Sequence, residues 1–428
     1  MNVVLASDRA RLSALYRSGW QPDPSVTFSV SAILAEVRNR GDAALIEYAR
    51  RFDDPSFDIS KLRVPIPMHD QARTLVPPKI ADALALAKQR VASFHSHQRR
   101  EDIRYTEADG TTYGFCYRPL DAIAAYVPGG SAALPSSVIM GVVPAKIAGV
   151  GRVIVLTPPQ RDGRVHPAVL YACSLCDVDE LYAVGGAHAI AAAAYGTELI
   201  APVEKIVGPG NVWVTEAKRS VYGVCAIDGL AGPSEVLVVA DEGASSEFVV
   251  GELLAQAEHD PLARVAVVSE SRSLLDAVAQ LLDMLDVGTL PRGEIIARVI
   301  ERSCFLIHAA SRREVFEVVE RFAPEHLSLQ VRDASGYLPF VRKAGAVFVG
   351  DMTPVACGDY LAGTNHVLPT SGAARFSSGL ALSDFVRTFS VVENTRERMT
   401  ADAAPLAALA EFEGLSQHAQ TARMRSGQ

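Results

Sequence analysis

The side chains suited to binding a metal ion or moving a proton are concentrated in a few short segments. Residues 358–370 carry Asp359 and His366 among glycines, threonines and a proline, without the period of a helix or a strand. Such a loop is more often shaped by a functional site than by a hydrophobic core. Matching groups occur in three distant segments, namely Gln256 with Glu258 and His259, Glu325 with His326, and Glu413 with His418. Together they predict one metal-assisted active site that is assembled by folding.

Gln256 and His259 lie near the end of a predicted helix. Their spacing places both side chains on one helix face, where they can grip one ion, and imidazole is a preferred zinc ligand. Glutamine is a weak ligand, and the carboxylate of Glu258 would be the stronger choice. Because a histidine near a helix end also serves as a cap, this segment alone leaves metal binding and capping both open.

Glu325 and His326 follow Pro324 and precede a predicted strand. The surroundings in a folded protein can tune either group towards neutral pH, so the two residues form a candidate general-base pair. An exposed turn between a helix and a strand would contain the same residues. This segment alone does not decide between a base pair and a turn.

Two glycine turns follow predicted strands and lead into predicted helices. One contains Gly129 and Gly130, and the other contains Gly208 and Gly210. The free N–H groups and the dipole of a helix N-terminus favour phosphate. Neither turn matches the dinucleotide or the Walker fingerprint, so phosphate binding and an ordinary turn both remain open.

Composition excludes several classes of protein. The chain has 428 residues and a net charge of −8, whereas a nucleic-acid binder shows a basic patch. A membrane span is not expected, because no apolar run reaches about 18 residues, and residues 1–21 lack a signal-peptide core. We therefore expect a cytoplasmic protein with neither nucleic-acid nor membrane partners.

Cys173 and Cys176 lack the second pair that a structural zinc site needs, so we interpret them as buried packing residues.

From about residue 120, short β-branched runs alternate with helical segments. The predicted strands are residues 153–156, 181–184, 224–227, 236–239, 265–268, 304–308 and 346–349. Before them, the pattern predicts helices at 31–52 and 82–99 and a hairpin at 103–117 around Asp109 and Gly110. Continuous apolar strands between helices indicate parallel sheets that are covered on both faces. The predicted fold class is α/β, with two α/β units and helical chain ends.

Taken together, these segments resemble the histidinol dehydrogenase family. The motifs occur in the family's order: YVPGG at 126–130, VGGAHAIAAAAYGTE at 184–198, KIVGPGN at 205–211, TEAKR at 215–219, AGPSEVLV at 231–238, LLAQAEHD at 253–260, APEHL at 323–327, GDYLAGTNHVLPT at 358–370 and EGLSQHA at 413–419. One such motif would be weak evidence, whereas nine in register over nearly the whole chain are specific. The resemblance implies zinc-dependent, NAD-linked oxidation of L-histidinol through histidinal to L-histidine, the last step of histidine biosynthesis.

The resemblance also implies a role for each matching position. His326 would accept protons in both oxidations, and Glu325 would activate the water that adds to the aldehyde. One zinc ion per subunit would be held by Gln256, His259, Asp359 and His418. The positions that match substrate contacts are Ser234, Gln256, His259, His326, Asp359, His366, Glu413 and His418. The positions that match NAD contacts are Tyr126, His188 and Asn211.

The family's architecture consists of two incomplete Rossmann-like domains with parallel sheets and small helical end segments. It forms a homodimer whose subunits share their active sites. On this chain the expected division is an N-terminal helical segment at 1–25, a first α/β domain at 26–118 and 236–384, a second at 119–235, and a C-terminal helical segment at 385–428 that reaches the partner. The place of His418 at the far end of the chain fits such sharing.

The chain departs from the family at His188, where a glutamine that contacts the cofactor is usual. Histidine still donates a hydrogen bond, but it is more rigid and can become charged, so cofactor use is open. The alternatives are a paralogous NAD-dependent dehydrogenase that oxidises another small alcohol to a carboxylate, a zinc hydrolase with Glu325 as base, and a non-catalytic binding protein. The glycine turns argue against the hydrolase, and the paired Glu325 and His326 argue against the pure binder.

Overall fold

The computed structural model describes residues 2–16, 19, 21–129 and 133–426. Within these ranges, two six-stranded sheets carry helices on their faces, and a third sheet has three strands. We call the six-stranded sheet built between residues 63 and 227 sheet I, the one built from residues 3–5 and 235–349 sheet II, and the small one sheet III. This architecture confirms the predicted α/β class with two parallel-sheet units.

Sheet I is parallel except at one edge. From that edge its strands are ordered Arg63–Val64, Glu180–Ala183, Arg152–Thr157, Ala122–Tyr126, Lys205–Val207 and Ala226–Ile227. After the central strand Ala122–Tyr126, the chain adds strands on one side and then crosses to the other. The crevice at such a switch point, outside the carboxyl ends of the strands, is the usual ligand site of an open α/β sheet.

Sheet II is parallel across all the strand pairs of the described residues. Its order is Val3–Leu5, Cys304–His308, Arg264–Ser269, Glu235–Ala240, His326–Gln330 and Ala346–Val349. Every residue of Glu235–Ala240 is buried. Burial on both faces of the sheet explains why the residues after Glu235 form an unbroken apolar run.

Sheet III is antiparallel and confirms the predicted hairpin. Ile103–Thr106 pairs with Thr112–Pro119, which pairs in turn with Val386–Glu393. In the connecting turn, Asp109 Oδ1 accepts the N–H of Thr111 at 2.9 Å.

Helices cover the faces of the two large sheets, and two helices close the described C-terminal part of the chain. The α-helices are Pro24–Arg40, Asp42–Phe52, His69–Arg73, Pro78–Ser96, Pro135–Ala148, Pro167–Leu175, Gly186–Tyr195, Val212–Val221, Ser246–Ala257, Arg272–Met284, Gly293–Ser303, Arg312–Phe322, Ala334–Tyr337, Ala356–Tyr360, Arg396–Phe412 and Ser416–Ser426. Short 3-10 helices are Arg11–Ser13, Ile59–Lys61, Val287–Thr289, Leu338–Phe340, Ala373–Arg375 and Leu382–Phe385.

The single helix predicted at 31–52 is split at Gly41. Gly41 has φ +54°, and a Cβ there would lie 2.4 Å from the Oε2 of Glu198. The Glu198 carboxylate accepts the N–H of Asp42 at 2.8 Å and so holds the start of the second helix. Only glycine suits both the backbone angle and this close approach.

The packing of the first hundred residues corrects the expected domain division. Residues 26–118 were expected with 236–384, but helices Pro24–Arg40 and Pro78–Ser96 pack against opposite faces of sheet I. Alternate side chains of the strand Ala122–Tyr126 point to these two faces and supply the surface that each helix buries. The two helices therefore belong with sheet I.

The terminal segments also differ from the purely helical ones expected. Val3–Leu5 is an edge strand of sheet II, and Leu12 and Leu15 are buried against that sheet. The C-terminal segment begins with the strand Val386–Glu393 before its two helices. The strand Val3–Leu5 has only three residues, which is too short to show a period, so the sequence pattern did not reveal it.

Two expectations from composition can be compared with the structure. In the part of the chain that the structure describes, no helix has both the length and the apolar character needed to cross a bilayer. Cys173 and Cys176 are buried at the end of the helix Pro167–Leu175, and burial raises the pKa of Cys176 to about 12. Their interpretation as packing residues is confirmed.

Candidate active site

Glu325 and His326 lie at the N-terminal edge of sheet II. Glu325 immediately precedes the strand His326–Gln330, and the half-buried Ser234 immediately precedes the neighbouring strand Glu235–Ala240. The helix Ser246–Ala257 connects two parallel strands and therefore runs back against them. Its C-terminal end, with Gln256 and then His259, returns to this same edge.

Backbone groups of Glu235 hold both Glu325 and His326. The Glu235 N–H donates to Oε2 of Glu325 at 2.8 Å, and Nδ1 of His326 donates to the Glu235 carbonyl at 3.0 Å. These contacts follow from the sheet pairing, which places Val236 opposite His326. Glu325 and His326 are only 6% and 4% exposed. The alternative of an exposed turn is therefore excluded.

The hydrogen bond to a carbonyl oxygen fixes the tautomer of His326. A carbonyl oxygen only accepts, so Nδ1 carries the proton and Nε2 is the nitrogen left to exchange a proton with another group. Burial alone would lower the pKa of His326. The charges of Glu325 and Asp359, and the hydrogen bonds to Glu325 and Glu235, outweigh burial and raise that pKa to about 9.

Glu235 is not among the predicted site residues, yet its side chain is fully buried beside Glu325 and His326. Its carboxylate pairs with Arg264 and accepts the N–H of Ser371 at 3.1 Å, while its Oε2 has no hydrogen-bond partner in the described part of the chain. Burial raises the pKa of Glu235 to about 7, with the charge of Glu325 adding to the rise and Arg264 opposing it. The signal that points to Glu235 is a charged residue at the start of an otherwise apolar strand.

Asp359 and His366 reach the catalytic edge from residues 358–370. This segment is not wholly irregular, because its first residues close the short helix Ala356–Tyr360. Burial lowers the pKa of His366, and the nearby charges of Asp359 and Glu325 oppose that shift. Since the charge of Asp359 also acts on His326, Asp359 and His366 both lie near Glu325 and His326.

Glu252 is a second buried carboxylate that the sequence did not single out. Its Oε2 accepts the N–H of Val355 at 3.1 Å, next to the helix that carries Asp359. Burial raises the pKa of Glu252, the charge of Asp359 adds to the rise, and His326 opposes it. Its position one helical turn before the buried Gln256 was the available signal.

The four expected zinc ligands are brought together only in part within one chain. Gln256 and His259 end one helix, and the charge of Glu258 acts on Tyr360, so the helix of Asp359 lies beside them. No three His, Cys, Asp or Glu side chains of the described residues are arranged to hold a metal ion. Gln256 is outside that set of residue types, and the fourth expected ligand, His418, lies on the last helix of the described residues.

Glu413 and His418 lie on the C-terminal helices, away from the other candidate residues. Helices Arg396–Phe412 and Ser416–Ser426 pack on each other through Ala407, Ala410 and Ala419. They are tied to the hairpin by Arg398, whose guanidinium lies 2.9 Å from Oδ2 of Asp109. Both Glu413 and His418 are exposed. Within this chain they are not joined to Glu325 and His326.

A cleft of about 1480 Å³ opens at the carboxyl ends of the strands of sheet I. Its lining includes all three residues expected to contact a cofactor, Tyr126, His188 and Asn211. This is the switch-point edge where ligands of open α/β sheets bind. Two of the residues near one glycine turn, Gly130 and Ser131, lie outside the described residues.

Tyr126 and Asn211 are fixed by local hydrogen bonds. The hydroxyl of Tyr126 accepts the N–H of Gly186 at 3.1 Å, and burial raises the pKa of Tyr126 to about 12. Asn211 caps the helix Val212–Val221, because its Oδ1 accepts the N–H groups of Trp213 and Val214 at 3.0 and 3.2 Å. The cleft thus has preformed polar walls.

Comparisons with known proteins agree with this geometry. A model of the family described as histidinol dehydrogenase matches residues 18–426. A histidinol dehydrogenase of Mesorhizobium japonicum is 44% identical over 417 residues, which cover 97% of this chain and 96% of that protein. One from Carboxydothermus hydrogenoformans is 46% identical over 396 residues, covering 92% of this chain and 93% of that protein.

A solved structure is similar over almost the whole length. The crystal structure of histidinol dehydrogenase from Elizabethkingia anophelis has a TM-score of 0.93 and 32% sequence identity, covering 99% of this chain and 98% of that one. Such coverage and identity go beyond a shared fold. The chain belongs to the histidinol dehydrogenase family of oxidoreductases.

Proposed function

We propose that this protein oxidises L-histidinol to L-histidine through histidinal, with two molecules of NAD reduced, as a cytoplasmic homodimer. The observation that carries the proposal is the pair Glu325 and His326, which Glu235 holds by its own backbone. A base and a water-activating carboxylate, buried side by side, suit two successive oxidations with one hydration between them.

His326 is the proposed proton acceptor in both oxidations. Its Nδ1 is engaged with the Glu235 carbonyl, so its Nε2 is the nitrogen that takes the proton of the alcohol and later that of the hydrated aldehyde. The neighbouring carboxylates stabilise the imidazolium that forms. The proton therefore has a place to go as each hydride leaves the carbon atom.

Glu325 is the proposed activator of the water that adds to histidinal. Its Oε2 is occupied by the Glu235 N–H, which fixes the carboxylate and leaves its other oxygen to face a water molecule. Hydride can leave only from the hydrated aldehyde, so this step separates the two oxidations. Ser234, His366 and Glu413 are proposed to contact the substrate.

Tyr126, His188 and Asn211 are proposed to hold NAD in the cleft of sheet I. The fit rests on the size of the cleft, its position at the switch point, and a buried nitrogen of His188 without a hydrogen-bond partner among the described residues. When bound, NAD supplies the hydride acceptor for both oxidations.

Gln256, His259, Asp359 and His418 are proposed to hold one zinc ion per subunit. An imidazole and a carboxylate are ordinary zinc donors, and three of the four residues lie at one edge of sheet II. When bound, zinc supplies a positive charge that stabilises a developing alkoxide. The fourth donor, His418, is proposed to come from the partner subunit.

Exposed apolar side chains on the C-terminal helices support this sharing. Phe412 and Leu409 are 92% and 66% exposed in the single chain. Large apolar residues that are left uncovered together mark an interaction surface. In a dimer they would be buried, and the neighbouring Glu413 and His418 would reach the partner's catalytic edge.

A turnover assay with matched substrates tests the proposal. Zinc-loaded protein with NAD should reduce NAD in the presence of L-histidinol and much more slowly with other amino alcohols of similar size. The variant His326→Gln should lose this activity while it retains zinc. The proposal is wrong if wild-type protein that carries zinc and binds NAD oxidises another small alcohol but not L-histidinol.

A further inference from the structure

Two buried polar atoms in the cleft of sheet I have no hydrogen-bond partner among the described residues. They are Nε2 of His188 and Oδ2 of Asp53, which lie 3.5 Å apart. The side chains of His188 and Asp53 are only 2% and 13% exposed, and both line the cleft. Unsatisfied buried polar atoms are costly unless a ligand or water completes them, so this pair is poised for a polar ligand.

Aromatic side chains of the cleft lie beside the pair. The rings of Tyr48 and Phe52 lie 5.9 and 6.1 Å from the ring of His188. Phe52 and Phe28, which also line the cleft, are 53% and 79% exposed. Flat apolar faces beside a donor–acceptor pair fit a nucleoside, because the base can stack on the rings while sugar hydroxyls meet the polar atoms.

The pair lies on the face of sheet I away from the segment that carries His366. Asp53 caps the helix Asp42–Phe52, whose apolar residues belong to the core on one face of the sheet. Asn365 instead donates to the carbonyl of Met140 at 2.8 Å, and Met140 belongs to the core on the other face. A dinucleotide that crosses the edge of the sheet would thus place its reactive ring on the His366 side and its adenosine on the aromatic side.

We propose that Asp53 and His188 bind the ribose of the adenosine half of the cofactor, and that Asp53 selects NAD against its 2′-phosphorylated form. This inference rests on the proposed NAD-linked function. A carboxylate accepts hydrogen bonds from ribose hydroxyls, as at the acidic position of other dinucleotide sites. The same negative charge repels a 2′-phosphate. His188 offers its Nε2 to a second hydroxyl.

Calorimetric binding measurements test the pair without relying on turnover. Wild-type protein should bind ADP-ribose and NAD, and should bind 2′-phospho-ADP-ribose and NADP at least about tenfold more weakly. Asp53→Asn should weaken the binding of ADP-ribose by roughly 3- to 10-fold. This is the size expected for the loss of one hydrogen bond to a charged group. The same variant should reduce the ratio of the affinity for NAD to the affinity for NADP by at least about tenfold. Nicotinamide mononucleotide should be unaffected.

A matched control and a second variant keep the test decisive. Glu47→Gln removes a negative charge from the same helix at an exposed position that pairs with Arg40, and it should leave all four affinities unchanged. His188→Gln should keep ADP-ribose binding within a few-fold, since an amide also donates a hydrogen bond.

Three results would overturn the inference. One is that wild-type protein binds ADP-ribose and 2′-phospho-ADP-ribose with equal affinity. This measurement does not depend on the folding of any variant. The second is an Asp53→Asn variant that binds NAD and NADP as the wild type does while it still oxidises L-histidinol, in which case the proposed function survives alone. The third is an Asp53→Asn variant that binds nicotinamide mononucleotide more weakly while its affinity for ADP-ribose is unchanged. This result would reverse the proposed orientation of the dinucleotide in the cleft. Wild-type protein that neither binds NAD nor oxidises L-histidinol would overturn the proposed function as well.

Discussion

The imidazole of His326 donates through Nδ1 to the carbonyl of Glu235 at 3.0 Å. Glu235 also donates its N–H to Glu325, so one residue of a neighbouring strand orients both members of the proposed catalytic pair. Because these contacts use backbone groups in the register of the sheet, the pair is rigid without any flexible side chain between its members. The roles proposed for His326 and Glu325, a general base and a water-activating carboxylate, both require such fixed positions.

The raised pKa of His326 predicts a pH-dependent contribution to stability. Its pKa is about 9 in the folded chain and about 6.5 when unfolded. The protonated imidazole therefore stabilises the fold fully below pH about 6.5, and the contribution is lost as pH rises towards 9. Chemical denaturation of zinc-free protein should show that the free-energy difference between wild type and His326→Gln shrinks between pH 6 and pH 9.5.

The variant Glu325→Gln provides the control for this pH effect. Removing the negative charge nearest to His326 should lower the pKa of the imidazole and move the loss of stability to lower pH. An unchanged pH dependence in Glu325→Gln would show that another group is responsible.

Glu325→Gln should also separate the two oxidations. The amide cannot take a proton from water, so oxidation of histidinal should slow by at least about 100-fold, within the range of general-base catalysis, while oxidation of histidinol to histidinal should slow less. Single-turnover measurements of NADH with each substrate distinguish the steps. Glu320→Gln, in the preceding helix, is the matched control and should leave both rates unchanged. Equal losses in the two steps of Glu325→Gln would count against its role as water activator.

Removal of the Glu235 side chain should destabilise the protein strongly. Glu235→Ala leaves the guanidinium of Arg264 largely buried without its carboxylate, which costs roughly 3–5 kcal/mol for such pairs. Urea denaturation measures this loss, and Glu36→Ala, which removes an exposed partner of Arg40, should cost far less. A small effect of Glu235→Ala would mean that the remaining contacts of Arg264, such as its hydrogen bond to the Leu15 carbonyl, are enough to hold the guanidinium.

The sequence patterns predicted well what depends on local order. Glu325 and His326, the hairpin and the seven predicted strands occur where period and turn chemistry placed them, whereas the short edge strands Val3–Leu5 and Arg63–Val64 were not predicted. Glu235 and Glu252 were missed because their importance comes from contacts with residues about 90 to 100 positions away. Such contacts leave only a weak local signal, a charge in an apolar run.

Asp53 shows the same limit at the level of whole elements. Its helix, Asp42–Phe52, was expected with the distant half of the first domain, whereas it packs on sheet I. Amphipathic helices show that they bury a face but not which sheet receives it. Only the packing brings Asp53 to His188 and to the cleft.

Shared active sites predict complementation between inactive subunits. His418→Ala and Glu325→Gln homodimers should each form almost no L-histidine, which is the activity followed here. After the two variants are mixed, unfolded and refolded together, about a quarter of the wild-type activity should return, because half of the dimers are mixed and one of their two sites is complete. No recovery, despite mixed dimers seen by mass spectrometry, would place His418 in the site of its own subunit.

The metal content of purified variants tests the proposed zinc ligands. His259→Ala and Asp359→Ala are each expected to lose zinc and activity together, because removing one donor from a four-donor site weakens it severely. Elemental analysis after gel filtration measures occupancy, and His97→Ala, at an exposed position immediately after the helix Pro78–Ser96, should stay fully loaded. Full zinc occupancy in either ligand variant would mean that the ligand is wrongly assigned.

The ratio of NADH formed to L-histidinol consumed tests the central claim most directly. Both quantities can be followed in one reaction of zinc-loaded wild-type protein with excess NAD. If one site uses His326 and Glu325 for two oxidations and a hydration, two NADH appear for each L-histidinol, and L-histidine is the product. One NADH per L-histidinol, with histidinal accumulating, would contradict the account.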